Sequence, residues 1–124
     1  MKCLKGSPKS SLIFFTYKNG TEWVRISSDG WCEQGGSAVF RDDTITQIIL
    51  KVSFSSTNYT VLTATRSTRY DQSYFALPTC ISKATTSISI AGMSNCGDYY
   101  YDWEAKGFVN LEDPTVKKFI EDNK

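Results

Sequence analysis

Hydrophobic and polar residues alternate with a period of two along most of the chain, and turn residues interrupt the alternation every few positions. A period of two places successive side chains on opposite faces of an extended strand, so the pattern predicts short antiparallel β-strands. Leu12 to Tyr17 is an aromatic and β-branched run. Asn19-Gly20 after it is the pair favoured in tight hairpin turns, where positive φ is needed. Glu22 to Ile26 returns with Val24 and Ile26 on one side and Trp23 and Arg25 on the other. A turn at Ser28-Asp29-Gly30 leads to a third strand, Trp31 to Gln34, expected to end at Gly35-Gly36. Ile45 to Phe54 and Tyr59 to Arg66 are the longest β-runs, joined by Ser55-Ser56-Thr57-Asn58. Ser67 to Thr79 reads as a loop. Cys80 to Ala84 and Ser87 to Ala91 form a hairpin around Thr85-Thr86, and Asn95-Cys96-Gly97-Asp98 turns the chain into Tyr99 to Val109.

Only the last segment has a different period. Asp113 suits a helix cap and Pro114 the first helical position. Val116, Phe119 and Ile120 then fall on one face, able to dock on a sheet. The expected architecture is therefore all-β: an antiparallel β-sandwich of about eight short strands with a short C-terminal helix. Residues 1–11 read as a flexible lead-in, 12–109 as the sandwich and 110–124 as a C-terminal extension carrying the helix.

Composition agrees with a single domain rich in strands. The 124 residues are 14% aromatic, with abundant Ser and Thr, which suits pleated surfaces. Fourteen Lys and Arg against thirteen Asp and Glu give a net charge of +1, which argues against nucleic acid as the partner. Histidine is absent, which removes the Ser-His and Cys-His dyads and any imidazole-ligated metal. Cys3, Cys32, Cys80 and Cys96 are scattered without a Cys-x-x-Cys pair, so thiols are expected in place of a zinc site. No stretch approaches the roughly 20 apolar residues of a membrane span, and membrane insertion is not expected. The apolar run after Lys2, Lys5 and Lys9 is short for a signal peptide and is followed by Tyr17-Lys18-Asn19 where small residues would be needed.

Catalytic patterns find little support. Phosphate-binding glycine loops and calcium loops are missing. Of the acidic pairs, Asp42-Asp43 fall in a loop, and Asp102 and Glu104 share one face of a strand as solvated charges. Asn19-Gly20-Thr21 and Asn58-Tyr59-Thr60 match the glycosylation sequon, a pattern that arises often by chance in Thr-rich chains. The expectation is no enzyme, no catalytic residue, no metal and no cofactor.

Binding chemistry is better represented. Tyr99-Tyr100-Tyr101-Asp102-Trp103-Glu104 mixes flat rings with carboxylates, a combination that suits sugar CH faces and hydroxyls. Tyr101 and Trp103 share a face expected to be core or subunit interface, as are Trp23 and Trp31. Tyr100 lies on the other face beside Asp102 and is the better ligand candidate. Tyr70 and Tyr74 join it from the loop, with Arg69, Asp71 and Asp98 as hydrogen-bonding partners.

Three segments in order carry a family resemblance. Trp23-Val24-Arg25-Ile26-Ser27-Ser28-Asp29-Gly30-Trp31-Cys32-Glu33-Gln34-Gly35-Gly36 resembles the opening of the C-terminal receptor-binding domain of phage tail-fibre proteins. Ile49-Leu50-Lys51-Val52-Ser53-Phe54 with Tyr59-Thr60-Val61-Leu62 is similar to that family's central strand, loop and return strand. Tyr101-Asp102-Trp103-Glu104-Ala105-Lys106-Gly107-Phe108 is similar to its closing strand. Gly35 stands where such domains usually carry Trp, and Lys51-Val52 where a proline is common. The resemblance implies an antiparallel sandwich that forms a homotrimer at a fibre tip and binds a host cell-surface glycan or protein. It also implies a virion component assembled in the bacterial cytoplasm. Animal H-type lectins are similar in architecture, so a secreted carbohydrate-binding or adhesion module is the alternative.

Overall fold

The computed structural model describes residues 12–40, 45–66, 79–92 and 99–124. Eight strands and one helix follow in order: β1 (Ile13–Asn19), β2 (Glu22–Ser27), β3 (Trp31–Phe40), β4 (Ile45–Ile49), β5 (Thr60–Arg66), β6 (Thr79–Lys83), β7 (Ser87–Ala91), β8 (Tyr99–Phe108) and α1 (Pro114–Asp122). They form a five-stranded sheet in the order β1-β2-β3-β8-β5 and a three-stranded sheet in the order β4-β7-β6. All pairings are antiparallel. The architecture is the all-β sandwich that the alternation predicts, with its short terminal helix.

Register decides what each face carries. In the larger sheet Phe15 pairs with Ile26, Tyr17 with Val24, Ile26 with Cys32 and Gln34 with Ala105, and Trp103 lies opposite both Gly36 and Thr63. These residues point inward, where Val24, Ile26, Cys32, Tyr101, Trp103 and Ala105 are buried with Ile88 and Ile90 of the smaller sheet. Hydrophobic burial between the two inner faces is the main attraction holding them together.

The first turn differs from expectation by one residue. Asn19 pairs with Glu22, so Gly20 and Thr21 make the turn, and it is Gly20 that takes the positive φ of 64°. A larger difference lies in β3, which runs straight through Gly35-Gly36 to Phe40. Those glycines make room for rings on both faces of the sheet. A Cβ on Gly35 would come within 2.8 Å of the Trp23 ring, and one on Gly36 within 3.2 Å of Trp103 Nε1.

The run expected from Ile45 to Phe54 stops as a strand at Ile49. Beyond it, a buried side chain replaces a strand partner. Gln34 Nε2 donates to the Val52 carbonyl at 2.8 Å, and its Oε1 accepts from Lys51 N at 3.0 Å and Val52 N at 3.3 Å. Leu50 N donates to Thr86 O and Phe54 N to Thr85 O, which ties the segment to the turn between β6 and β7. Tyr59 completes the link between sheets. Its ring stacks on Phe54 at 4.2 Å, and its hydroxyl donates to the carbonyl of Ala84 at 2.6 Å, with that of Ser87 at 3.2 Å.

The helix forms where its capping residues predict. Asp113 Oδ1 accepts from Thr115 N at 2.8 Å, and Pro114 opens the first turn. Val116 and Ile120 are buried, and Phe119 meets Phe15 and Tyr17 edge-on with centroids 5.8 and 5.1 Å apart. The helix thus covers the β1 side of the core.

Candidate functional site

Of the residues proposed for recognition, Tyr70, Tyr74, Arg69, Asp71 and Asp98 lie outside the described residues. Tyr100 lies within them, on the outer face of β8, opposite Val39 and Arg66 in the register and 50% exposed. Tyr101 is fully buried and Trp103 nearly so. Burial raises the Tyr101 phenol pKa, and the neighbouring Thr46 hydroxyl works against that rise. Trp23 and Trp31 are half-buried, both on the outer face of the larger sheet.

That outer face is where polar and aromatic groups gather. At one end Trp31 meets Phe108 edge-on at 5.1 Å, while its Nε1 donates to Glu33 Oε2 at 3.1 Å. Along the middle Glu104 pairs with Lys106 at 3.4 Å, and Ser37 Oγ donates to Asp102 Oδ1 at 2.6 Å. Asp102 and Glu104, the acidic pair of the sequence, are thus held by cross-strand and same-strand partners. Toward the β1 edge, Trp23 lies over Gly35 with the Arg25 guanidinium 5.2 Å from its ring centroid. Lys18 is opposite Trp23 and Thr16 opposite Arg25, so these four side chains surround one depression of about 330 Å³.

Alternation alone places Trp23 and Arg25 on one side of β2, but it does not identify their neighbours. The register with β1 adds Lys18, and the register with β3 adds Gly35, whose missing side chain makes space for the indole. A Gly opposite a Trp on a paired strand is the sequence signal for this site, and it becomes readable only once the pairing is known.

Buried sulfur plays a different part. Cys32 is fully buried and Cys80 half-buried, and both are thiols, while Cys3 and Cys96 lie outside the described residues. Burial pushes the Cys32 thiol up to about 12, the nearby Glu33 charge adds to this, and the Gln34 amide opposes it. So high a value leaves it protonated and unreactive near neutral pH. Among the described residues no three Cys, Asp or Glu side chains gather as a metal-binding group, and no helix is long and apolar enough to cross a membrane.

The two-sheet antiparallel sandwich superposes on parts of solved pyocin tail fibres, which are phage tail-like structures. The N-truncated R2-type pyocin tail fibre superposes with a TM-score of 0.65 at 18% identity, over 78% of this chain and 39% of that one. The N-truncated R1-type pyocin tail fibre gives 0.61 at 14% identity, over 78% of this chain and 88% of that one. A C-terminal portion of the P. aeruginosa R2 pyocin fibre gives 0.64 at 18% identity, over 77% of this chain and 26% of that one. The chain therefore spans well under half the length of either R2 fibre, and identities this low establish a shared fold. By sequence, no protein-family model and no curated protein matches the chain.

Proposed function

We propose that this chain is a tail-fibre domain of a phage or phage tail-like particle that attaches the virion to a host cell-surface glycan or protein, without catalysis. The observation that carries this reading is the fold shared with R1- and R2-type pyocin tail fibres. Fibre domains act by presenting a rigid surface, and a sandwich with an aromatic and polar outer face suits that work. Engagement of Asp102 by Ser37 and of Glu104 by Lys106 favours a structural role for the acidic pair.

The working unit in this reading is a homotrimer, assembled in the bacterial cytoplasm and carried on the virion. Large apolar side chains support an interface: Ile45 and Ile49 are 65% and 64% exposed on the outer face of the smaller sheet. The recognition surface includes Tyr100 and the segments holding Arg69, Tyr70, Asp71, Tyr74 and Asp98. Labelled chain, incubated with a panel of bacterial strains, should bind a subset of them and block adsorption of the parent particle. Periodate treatment of the cells abolishes binding to a glycan, and protease treatment abolishes binding to a protein. Failure to bind any strain that the particle infects would overturn the proposal.

A further inference from the structure

We infer that the depression around Trp23 at the β1 edge binds an acidic sugar, meaning a saccharide unit that carries a carboxylate or a phosphate. This rests on the attachment reading above and gives its glycan a chemical class and a location.

Charge distribution supplies the first argument. The described lysines are mostly matched to carboxylates: Lys51 with Glu22, Lys106 with Glu104, Lys117 with Glu112, Lys118 with Asp122 and Lys124 with Glu121. Lys83 bonds the Tyr59 carbonyl. Lys18 and Arg25 make no ion pair with a described residue, and both border the same depression. Glu33 faces Arg25 in the register, but its carboxylate turns to accept from Trp31 Nε1 at 3.1 Å and forms no ion pair with Arg25. Two unmatched cations on one small surface attract an anion, and the Arg fork suits the paired oxygens of a carboxylate or phosphate.

Trp23 supplies the second. Its ring is held against the Gly35 backbone between paired strands, so an apolar platform is fixed in place before any ligand arrives. The Arg25 guanidinium rests 5.2 Å from the ring centroid on a side chain exposed to water. Drawing that guanidinium outward to an anion uncovers indole for the CH groups of a sugar ring. At about 330 Å³ the depression is at the small end of ligand sites, about 300–1,000 Å³, and fits one sugar unit better than a long segment. Two cations are also too few for a nucleic-acid backbone, which needs a longer basic track.

The test compares the wild-type chain with Lys18→Gln/Arg25→Gln and with Trp23→Ala. Polygalacturonate, a phosphate-substituted mannan and neutral dextran serve as probes in calorimetric titrations at low and high salt. The wild type should bind polygalacturonate or the phosphomannan, and which of the two it prefers identifies the anionic group. Dextran should bind far more weakly. The double variant should lose on the order of tenfold or more in affinity together with the salt dependence. Trp23→Ala should lose affinity while keeping the salt dependence. Melting temperatures confirm that each variant is folded. Equal binding of both acidic probes by wild type and double variant overturns the inference, as does wild-type binding to neither probe or a preference for dextran. Binding to bacterial cells, measured alongside, separates the two claims. A double variant that binds cells as well as the wild type overturns the acidic-sugar site and leaves the attachment reading standing. Wild-type chain that binds polygalacturonate but no cells does the reverse.

Discussion

Gln34→Met removes the side chain that ties the larger sheet to the segment after β4 while nearly preserving its volume. Three hydrogen bonds disappear, at 2.8, 3.0 and 3.3 Å. The Val52 carbonyl and amide are then left buried, whereas the Lys51 amide is only partly buried and water can replace its partner. A buried polar group without a partner costs about 1–3 kcal/mol, so two such groups predict a loss of about 3 kcal/mol. For a chain of this size that corresponds to a fall in Tm on the order of 10 °C. Urea titration and calorimetry measure both quantities. Gln34→Glu probes the donor end separately. Its carboxylate can still accept from the two amides but cannot donate to Val52 O until it is protonated, and burial raises its pKa. A raised folded pKa means that stability is greatest below the unfolded value of about 4.3 and is lost as pH rises through the folded value. The deficit of Gln34→Glu relative to wild type should therefore shrink on acidification, while that of Gln34→Met stays constant. A loss below 1 kcal/mol in Gln34→Met would refute the reasoning, because it would mean that the Leu50–Phe54 segment is held by its apolar side chains alone.

Gly107→Ala should destabilise by about 1–3 kcal/mol in urea titrations, because its Cβ would meet Tyr59 Cβ at 2.5 Å, while Gly36→Ala should cost less. Asp113→Ala should lower stability by about 0.5–2 kcal/mol and reduce helical circular dichroism, since it removes the acceptor for Thr115 N. The Cys32 thiol moves from 9.0 to about 12 and the Tyr59 phenol from 10.0 to about 12 on folding, chiefly through burial. Both raised values favour the protonated folded state, so this stability is intact below about pH 9 and is lost as pH rises toward 12; Cys32→Ala should flatten the decline of the urea midpoint between pH 8 and 11. Ile45→Lys/Ile49→Lys, aimed at the exposed face of β4, should convert the proposed trimer to monomer in sedimentation experiments while circular dichroism shows the fold retained.

Local rules made the strands and the helix legible. The Thr85-Thr86 hairpin needed only alternation and turn residues to be found, and the helix start at Asp113-Pro114 needed only capping chemistry. Long-range packing decided the rest. Gly35-Gly36 reads as a turn because glycine weakens strands, yet here the two positions are flattened to admit Trp23 on one face and Trp103 on the other. Ile45 to Phe54 reads as one strand because its apolar residues continue, but Gln34, 17 and 18 residues away, captures the Lys51 and Val52 amides. The aromatic positions behaved in the same way. Opposite faces for Tyr100 and Tyr101 follow from the strand period, whereas the meeting of Lys18, Trp23 and Arg25 depends on which strands pair.

The two outer faces of the sandwich differ in chemistry, and the proposals divide accordingly. The smaller sheet exposes Ile45 and Ile49 on β4 with Gln47 between them, while Ser89 and Ala91 beside them on β7 are small, so this part of the face is uncharged and low in relief. Such a surface packs well against a copy of itself or a neighbour and offers little to a hydrated sugar. The larger sheet presents Trp23, Arg25, Lys18, Trp31 and Tyr100 among salt-bridged charges, a surface that stays hydrated and can exchange water for sugar hydroxyls. Because the inner faces pack against each other, these two outer faces point in opposite directions. Three copies joined through the β4 face would then leave three acidic-sugar depressions turned outward. Each holds few polar groups and, in this proposal, would bind weakly alone. A repeating surface polysaccharide engages several at once, and the second contact becomes intramolecular, which can raise the overall affinity by about 10²–10⁴ without any new contact. A shallow site is thus no obstacle to firm attachment. In the proposed attachment it would also keep each contact reversible, so that a particle would shift along the cell surface until a productive orientation is reached.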